Sequence, residues 1–249
     1  MDILIYGTVN SVVFALVAVG FTLVYGVSRL PNFAHGALYV LVGFLTWSLV
    51  NDFKVFYPLA ILISLGISAL LGALIYRLIL IRLRGLPTSE IIASFAVGLI
   101  ILEGLRLQGI GGFKGFIGPF YVLPAFIDSK LRIAGVLIDA QRLILIGGGL
   151  CVVAALWLFT HYTKTGLSLR AIAQDEQAAM MLGIDSDRAA VISLSIGSAL
   201  AGLAAVIIFP LGNVTAEAGY RVLINALAVC IIGGLGSWAG AVLAVLCRG

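Results

Sequence analysis

Charge is what this sequence most conspicuously lacks. Of its 249 residues only 10% are Asp, Glu, Lys or Arg, against roughly 25% in a soluble globular chain. Most of its surface is therefore not built for water. Proline is scarce, with 6 residues, and cysteine scarcer, with 3. Cys151, Cys230 and Cys247 each sit inside an apolar run, without a CxxC pair or a paired histidine. That excludes a disulfide framework and a Cys/His metal site, and reads as buried, inert thiols. The only histidines, His35 and His161, lie at separate breaks in the chain, so no metal site is expected from them. The basic residues outnumber the acidic, for a net charge of +4. They are scattered singly between apolar runs without interleaved aromatics, which excludes a nucleic-acid partner. No G-x-x-x-x-G-K-S/T phosphate loop is present. No nucleophile, base and metal set can be assembled either, so no catalytic residue and no cofactor is expected.

What is present is apolar. Hydrophobic residues make up 62% of the chain, with 30 glycines, a combination that suits transmembrane helices whose backbones approach closely. A helix crossing about 30 Å of hydrocarbon needs about 20 mostly apolar residues. Such runs fall at about residues 3–27, 37–50, 59–81, 91–107, 143–162, 189–211 and 222–247. The expectation is an all-α integral membrane protein, a polytopic transmembrane helix bundle of about seven spans. The first run lacks a basic leader region and continues past Val27, so it is read as a span and not as a cleaved signal. Residues 109–141 form the longest polar-leaning stretch, rich in Gly and aromatics. Within it LRIAGVLIDAQR alternates like a short hairpin. Placing Arg29, the Arg77–Arg84 group, Lys164–Arg188 and Arg248 on the cytoplasmic side gives eight basic residues against seven. Only the tight Arg77, Arg82, Arg84 group favours that orientation.

The segment 163–188, TKTGLSLRAIAQDEQAAMMLGIDSDR, carries the most information. Residues 168–182 are mostly good helix formers, and Gly183 stands where a left-handed residue would stop a helix. Asp185 and Asp187 are placed to cap the next one. One face of the expected helix offers Leu169, Ile172, Ala173 and Met180. The other offers Arg170, Gln174, Asp175, Glu176 and Gln177. So short an amphipathic helix needs a partner surface. Either the bilayer and bundle supply it, or a soluble subunit docks there.

This segment, together with LPNFAHGALYVLVGF at 30–44, resembles the permease family of bacterial ABC importers for branched-chain amino acids, and within it the LivH-like subunit. Three ordered motifs carry the resemblance. They are NFAHG at Asn32, Phe33, Ala34, His35 and Gly36; a cytoplasmic pattern at Thr163, Gly166, Arg170–Asp175, Ala179–Ile184, Asp187 and Arg188; and GGLGS at Gly233–Ser237. Order and spacing agree over nearly the whole chain. The resemblance implies a single permease domain over 1–249 in the bacterial inner membrane, with a periplasmic loop at 109–141 and a cytoplasmic coupling segment at 163–188. It implies a second permease subunit, two ATP-binding-cassette ATPase subunits that hydrolyse the ATP, and a periplasmic substrate-binding protein. Gly166, Leu167, Arg170, Ala171, Asp175, Ala179, Leu182, Gly183 and Ile184 would couple to the ATPase. The implied substrate is a branched-chain amino acid, with urea or short amides as the alternative within the family. Trp238 and Ala239 stand where the family usually has a proline. Members usually continue for one or more helices beyond this point, so a C-terminally shortened chain is expected.

Two breaks are candidates for the translocation path: Asn32, Phe33, His35 and Gly36 after the first span, and Gly233, Gly234 and Gly236 within the last. Irregular backbone at membrane depth is tolerated where it is buried in protein or lines a cavity. Paired breaks often mark a transport route. The competing readings are a helix restart capped by Asn32, with His35 satisfied by a nearby carbonyl, and close glycine packing. Internal sequence similarity is too weak to establish a repeat. Glu103 and Arg106, three apart on one helix face, read as a structural ion pair near the interface. An ion-coupled carrier would need charges deep in the bundle, where the spans have almost none.

Overall fold

The computed structural model describes residues 16–29, 31–107, 123, 130–133, 136–211, 215–234 and 240. Gly236, Ser237, Cys247, Arg248 and most of the polar stretch 109–129 lie outside them. The chain is predominantly helical. Its elements are α1 (Leu16–Ser28), α2 (His35–Asn51), α3 (Tyr57–Leu83), α4 (Pro87–Leu107), a hairpin of β1 (Lys130–Ile133) and β2 (Val136–Asp139), α5 (Ala140–Tyr162), α6 (Lys164–Gln174), α7 (Glu176–Met181), α8 (Ser186–Ile208) and α9 (Ala216–Gly233). The hairpin expected from the alternation at 131–142 forms, antiparallel, with Lys130 opposite Asp139 and Ile133 opposite Val136.

Among the described residues, three helices are long and apolar enough to cross a membrane: Tyr57–Leu83, Ser186–Ile208 and Ala216–Gly233. Leu16–Ser28, His35–Asn51 and Gly147–Tyr162 are shorter apolar helices. Their packing inverts the soluble pattern. On α3 the buried stripe is Ala60, Ser64, Ser68 and Gly72, while Leu62, Leu70 and Leu78 are more than half exposed. Small residues face inward so that backbones can meet, and large apolar ones face outward, as a lipid-solvated helix requires. The partner of that stripe is α8. Ser68 Oγ donates to the Ser198 carbonyl at 3.0 Å. α8 is the hub, with Ala201, Ala204 and Ala205 fully buried. Buried hydroxyls bond their own helix: Thr46 donates to Val42 O, Ser64 to Ala60 O and Ser198 to Leu194 O.

Three sequence expectations are corrected. Cys151 is exposed; only Cys230 among the described cysteines is buried, where its Sγ lies 2.8 Å from Thr22 Oγ1. The outward face of a membrane helix displays apolar side chains, so an apolar neighbourhood did not mean burial. Residues 168–182 are not one helix, because Asp175 leaves helical geometry (φ −149°, ψ 107°) and ends α6. The last helix begins at Ala216, six residues ahead of the apolar run at 222–247, so Glu217 and Arg221 lie inside α9.

Candidate functional site

The chain between α1 and α2 folds back into the bundle. Arg29 is in the left-handed region (φ 58°), and Pro31 follows it, so α1 cannot continue. Asn32 Oδ1 accepts the Ala34 amide at 3.1 Å, and its carbonyl accepts the His35 amide at 3.3 Å. The Phe33 amide donates to Ser94 Oγ of α4 at 3.2 Å. Asn32 therefore organises the turn, although the residue capping α2 is Ala34. His35 is 1% exposed. Its ring meets Phe21 edge-on at 5.6 Å. Its Nε2 has no hydrogen-bond partner among the described residues.

Gly36 lies against α9. A Cβ there would sit 2.2 Å from the Gly219 carbonyl oxygen, and one on Gly219 would sit 2.8 Å from Gly36 O. Only glycine at both positions lets the backbones meet so closely. The space between Phe33, Gly36, Gly98 and Gly219 is about 10 Å³, so the junction is closed. Gly233 and Gly234 mark the other end of α9, where Gly234 has φ +88°. They stand roughly 20 Å along the helix from Gly219 at 1.5 Å per residue. Among the described residues, the two glycine breaks are not brought together.

The segment 163–188 forms a built unit. Thr163 Oγ1 accepts the Gly166 amide at 3.0 Å and donates to Phe159 O at 2.6 Å, turning the chain from α5 into α6. A Cβ on Gly166 would lie 2.4 Å from Phe159 O and from Thr160 Cα. Asp175 caps α7, its Oδ1 accepting the Ala178 amide at 3.1 Å. α7 ends in paired bonds, Ile184 N to Ala179 O at 3.1 Å and Gly183 N to Met180 O at 2.9 Å, with Gly183 at φ +83°. This is the left-handed glycine stop the sequence predicts. Asp185 then caps α8 through the Arg188 amide. Leu169, Ile172 and Ala179 are buried. Met180, expected on that face, is 48% exposed, because the break at Asp175 resets the helical phase. Leu167, Met181 and Leu182 are exposed too, the last two above 80%. Ala171 and Ile184 are half-buried. Arg170 Nε is buried without a hydrogen-bond partner among the described residues.

Two arginines outside the segment hold it, and neither figured among the sequence candidates for a site. Arg29 Nη2 donates to the last carbonyls of α6, Ala173 O at 2.8 Å and Gln174 O at 3.0 Å, where a cation also suits the helix dipole. Arg84 bonds Glu176, Ser186 and Asp187. Tyr76, on a π-helical turn of α3, donates to Asp187 at 2.9 Å. Burial works against the Arg84 charge, but Tyr76, Glu176 and Asp187 outweigh it and hold its pKa above the ordinary value. Arg29, Arg84 and the segment thus share one end of the bundle, as their grouping in the sequence anticipates. Arg106 pairs with Glu103 at 2.9 Å and with Glu217 at 3.2 Å, tying α4 to α9 as well as bridging one helix face.

Apolar outward faces, small-residue seams and helices long and apolar enough to cross a membrane define a helical membrane protein. A family model for the branched-chain amino acid transport system permease component matches residues 3–249, and the chain belongs to that family. It is 27% identical to the high-affinity branched-chain amino acid transport permease BraD of Pseudomonas aeruginosa, covering 99% of this chain and 83% of that protein. It is 27% identical to LivH of Salmonella typhimurium over 95% of this chain and 79% of that one. An autoinducer 2 import permease, LsrD of Photorhabdus temperata, is 26% identical over 96% and 69%. No solved structure matches.

Proposed function

We propose that the chain is the permease subunit of an ATP-driven importer for branched-chain amino acids, forming the path and coupling it to a separate ATPase through residues 163–188. The observation that carries this reading is the form of that segment. It is capped at every helix end and clamped by Arg29 and Arg84, yet it presents Leu167, Met180, Met181 and Leu182 outward among polar residues. A rigid unit with an uncovered apolar tip is suited to receive force from a docked protein. The lack of a phosphate loop in the sequence supports hydrolysis in another subunit. On this reading the chain is one domain with seven spans in the bacterial inner membrane. Residues 109–141 face the periplasm and a substrate-binding protein, and a second permease and two ATPases complete the assembly. The junction at Asn32, Phe33, His35 and Gly36 and the glycines at 233–236 would border the path, closed at Gly36 in this conformation.

A second reading concerns substrate alone. The LsrD relative, named for autoinducer 2 import, supports a family whose members carry different small solutes, so the family default is not binding on this chain. The test is uptake of labelled L-leucine into membrane vesicles containing the assembled transporter. Arg170→Glu and Gly183→Trp should each abolish ATP-dependent uptake while the chain remains inserted. Uptake at the unsubstituted rate in both variants would refute the coupling role.

A further inference from the structure

Between the ends of α1 and α3, the start of α4 and α7 lies a cleft of about 340 Å³, at the lower end of the roughly 300–1,000 Å³ usual for small-molecule sites. Its walls carry Val27, Arg29, Arg84, Glu90, Glu176 and Ala190. Glu90 is the unexplained member. It is 8% exposed, and its carboxylate forms no hydrogen bond or ion pair among the described residues. It stands in the first turn of α4, one residue ahead of the apolar stretch that begins at Ile91. Burial pushes its pKa up, against the lowering effect of nearby Arg84. The carboxylate opens on the cleft, where a donor can reach it. Glu90 also lines the small space beside Ser28, Asn32 and Ser94, so it stands between the cleft and the re-entrant turn.

The charges around the cleft select its occupant. A simple anion placed there meets Glu90 and Glu176; a simple cation meets Arg29 and Arg84. Glu176 and Arg84 already pair with each other, which leaves Glu90 on one side and the spare donors of the two guanidiniums on the other, and a molecule with both charges satisfies both. Each guanidinium has five donors, and the bonds to the segment use two on Arg29 and three on Arg84. Val27 and Ala190 supply apolar wall. We propose that this cleft binds a small zwitterionic amino acid, its ammonium on Glu90 and its carboxylate between Arg29 and Arg84. The choice of an amino acid over other zwitterions rests on the import reading above. Because both arginines also hold residues 173–187, occupancy of the cleft would be felt by that segment.

The test is equilibrium dialysis of labelled L-leucine against the full chain in lipid nanodiscs, with isoamylamine and 4-methylpentanoate as single-charge competitors. Leucine should bind saturably, and each competitor at least about tenfold more weakly. Glu90→Gln should weaken leucine at least about tenfold and remove competition by the amine, leaving the acid within about twofold. Should Glu90→Gln fail to insert, Glu90→Asp and Pro87→Trp decide. Pro87 is exposed on the cleft wall, so its replacement should weaken all three probes, while Glu90→Asp should keep leucine within about threefold. No saturable leucine binding below about 10 mM, or leucine binding unchanged in Glu90→Gln or in Pro87→Trp, overturns the proposal. The measurement needs no ATPase. Uptake without binding in the cleft removes the site alone, and binding without uptake removes the import reading alone.

Discussion

Replacing Arg84 with Met tests the clamp on residues 163–188 directly. The substitution keeps most of the aliphatic stem and deletes three bonds, to Glu176, Ser186 and Asp187. Exposed ion pairs contribute about 0.2–1 kcal/mol each, and hydrogen bonds to charged groups about 1.5–3. Arg84 is 36% exposed and its acidic partners 33% and 46%, which puts the set between those limits and well below their sum. We expect a loss of about 1–2 kcal/mol, felt at the junction of α7 and α8. Part of it is repulsion between Glu176 and Asp187 once their shared cation is gone. That free energy corresponds to about a 5–30-fold rise in local opening. Amide hydrogen exchange of the chain in nanodiscs reads it: residues 176–188 should lose protection by that factor while α5 is unchanged. Salt at about 1 M, where the screening length is about 3 Å, should reproduce part of the effect in the unsubstituted chain. Protection unchanged at 176–188, or lost equally everywhere, would refute the clamp.

Gly166→Ala should lower stability by about 1–3 kcal/mol, the usual cost of overpacking, because the new methyl would lie 2.4 Å from the α5 backbone; thermal unfolding in detergent measures it. Gly36→Val should push α2 from α9 and cost at least as much, whereas Gly104→Val, at a site with nothing within 4 Å, should leave the melting temperature nearly unchanged. Arg29→Gly deletes the bonds to Ala173 and Gln174 but also relieves a left-handed residue, worth about 1–2 kcal/mol. Its melting temperature should therefore stay close to the unsubstituted value while leucine uptake falls, and a large drop in stability with normal uptake would contradict that division.

The sequence located the helices well and their ends less well. Hydropathy places α2, α3 and α8 within about three residues, because a lipid-facing segment must be apolar over its whole length. It ends too early wherever a helix projects past the apolar core. Glu217 precedes the apolar run at 222–247 yet sits in the first turn of α9, where an acidic side chain suits the helix N-terminus and reaches Arg106. In the segment 163–188 the Gly183 stop and the Asp185 cap are local signals and read directly. The break at Asp175 is local too, but helix propensity either side concealed it. The clamp was not readable. Arg84 and Glu176 are 92 residues apart, and nothing in either neighbourhood specifies the other. Glu90 lies just ahead of the apolar run that begins at residue 91, where nothing in the sequence sets it apart, and only its burial distinguishes it.

The distribution of charge bears on how such a bundle is moved. Among the described residues, ion pairs fall at two levels, Arg84 and Arg188 with their partners at one end and Arg106 with Glu103 and Glu217 at the other. Between them polar side chains mostly bond carbonyls of their own helix, as Thr46, Ser64, Thr160 and Ser198 do. Such bonds travel with the helix and oppose no sliding. The seams are small residues in van der Waals contact, which resist separation but carry no fixed charge register. A bundle of this kind has few internal electrostatic contacts that a bound ion could rearrange. The contacts that tie one helix to another by charge are those at the ends. Force applied to residues 163–188 would reach α5 and α8 through the chain itself, and Arg84 and Arg29 add side-chain links to α3 and to the turn at Pro31–Gly36. That turn is pinned on its far side by the Gly36–Gly219 contact. On the proposed reading, opening requires that contact to part, and Arg29 joins the end of α1, just ahead of that turn, to the segment an ATPase would push.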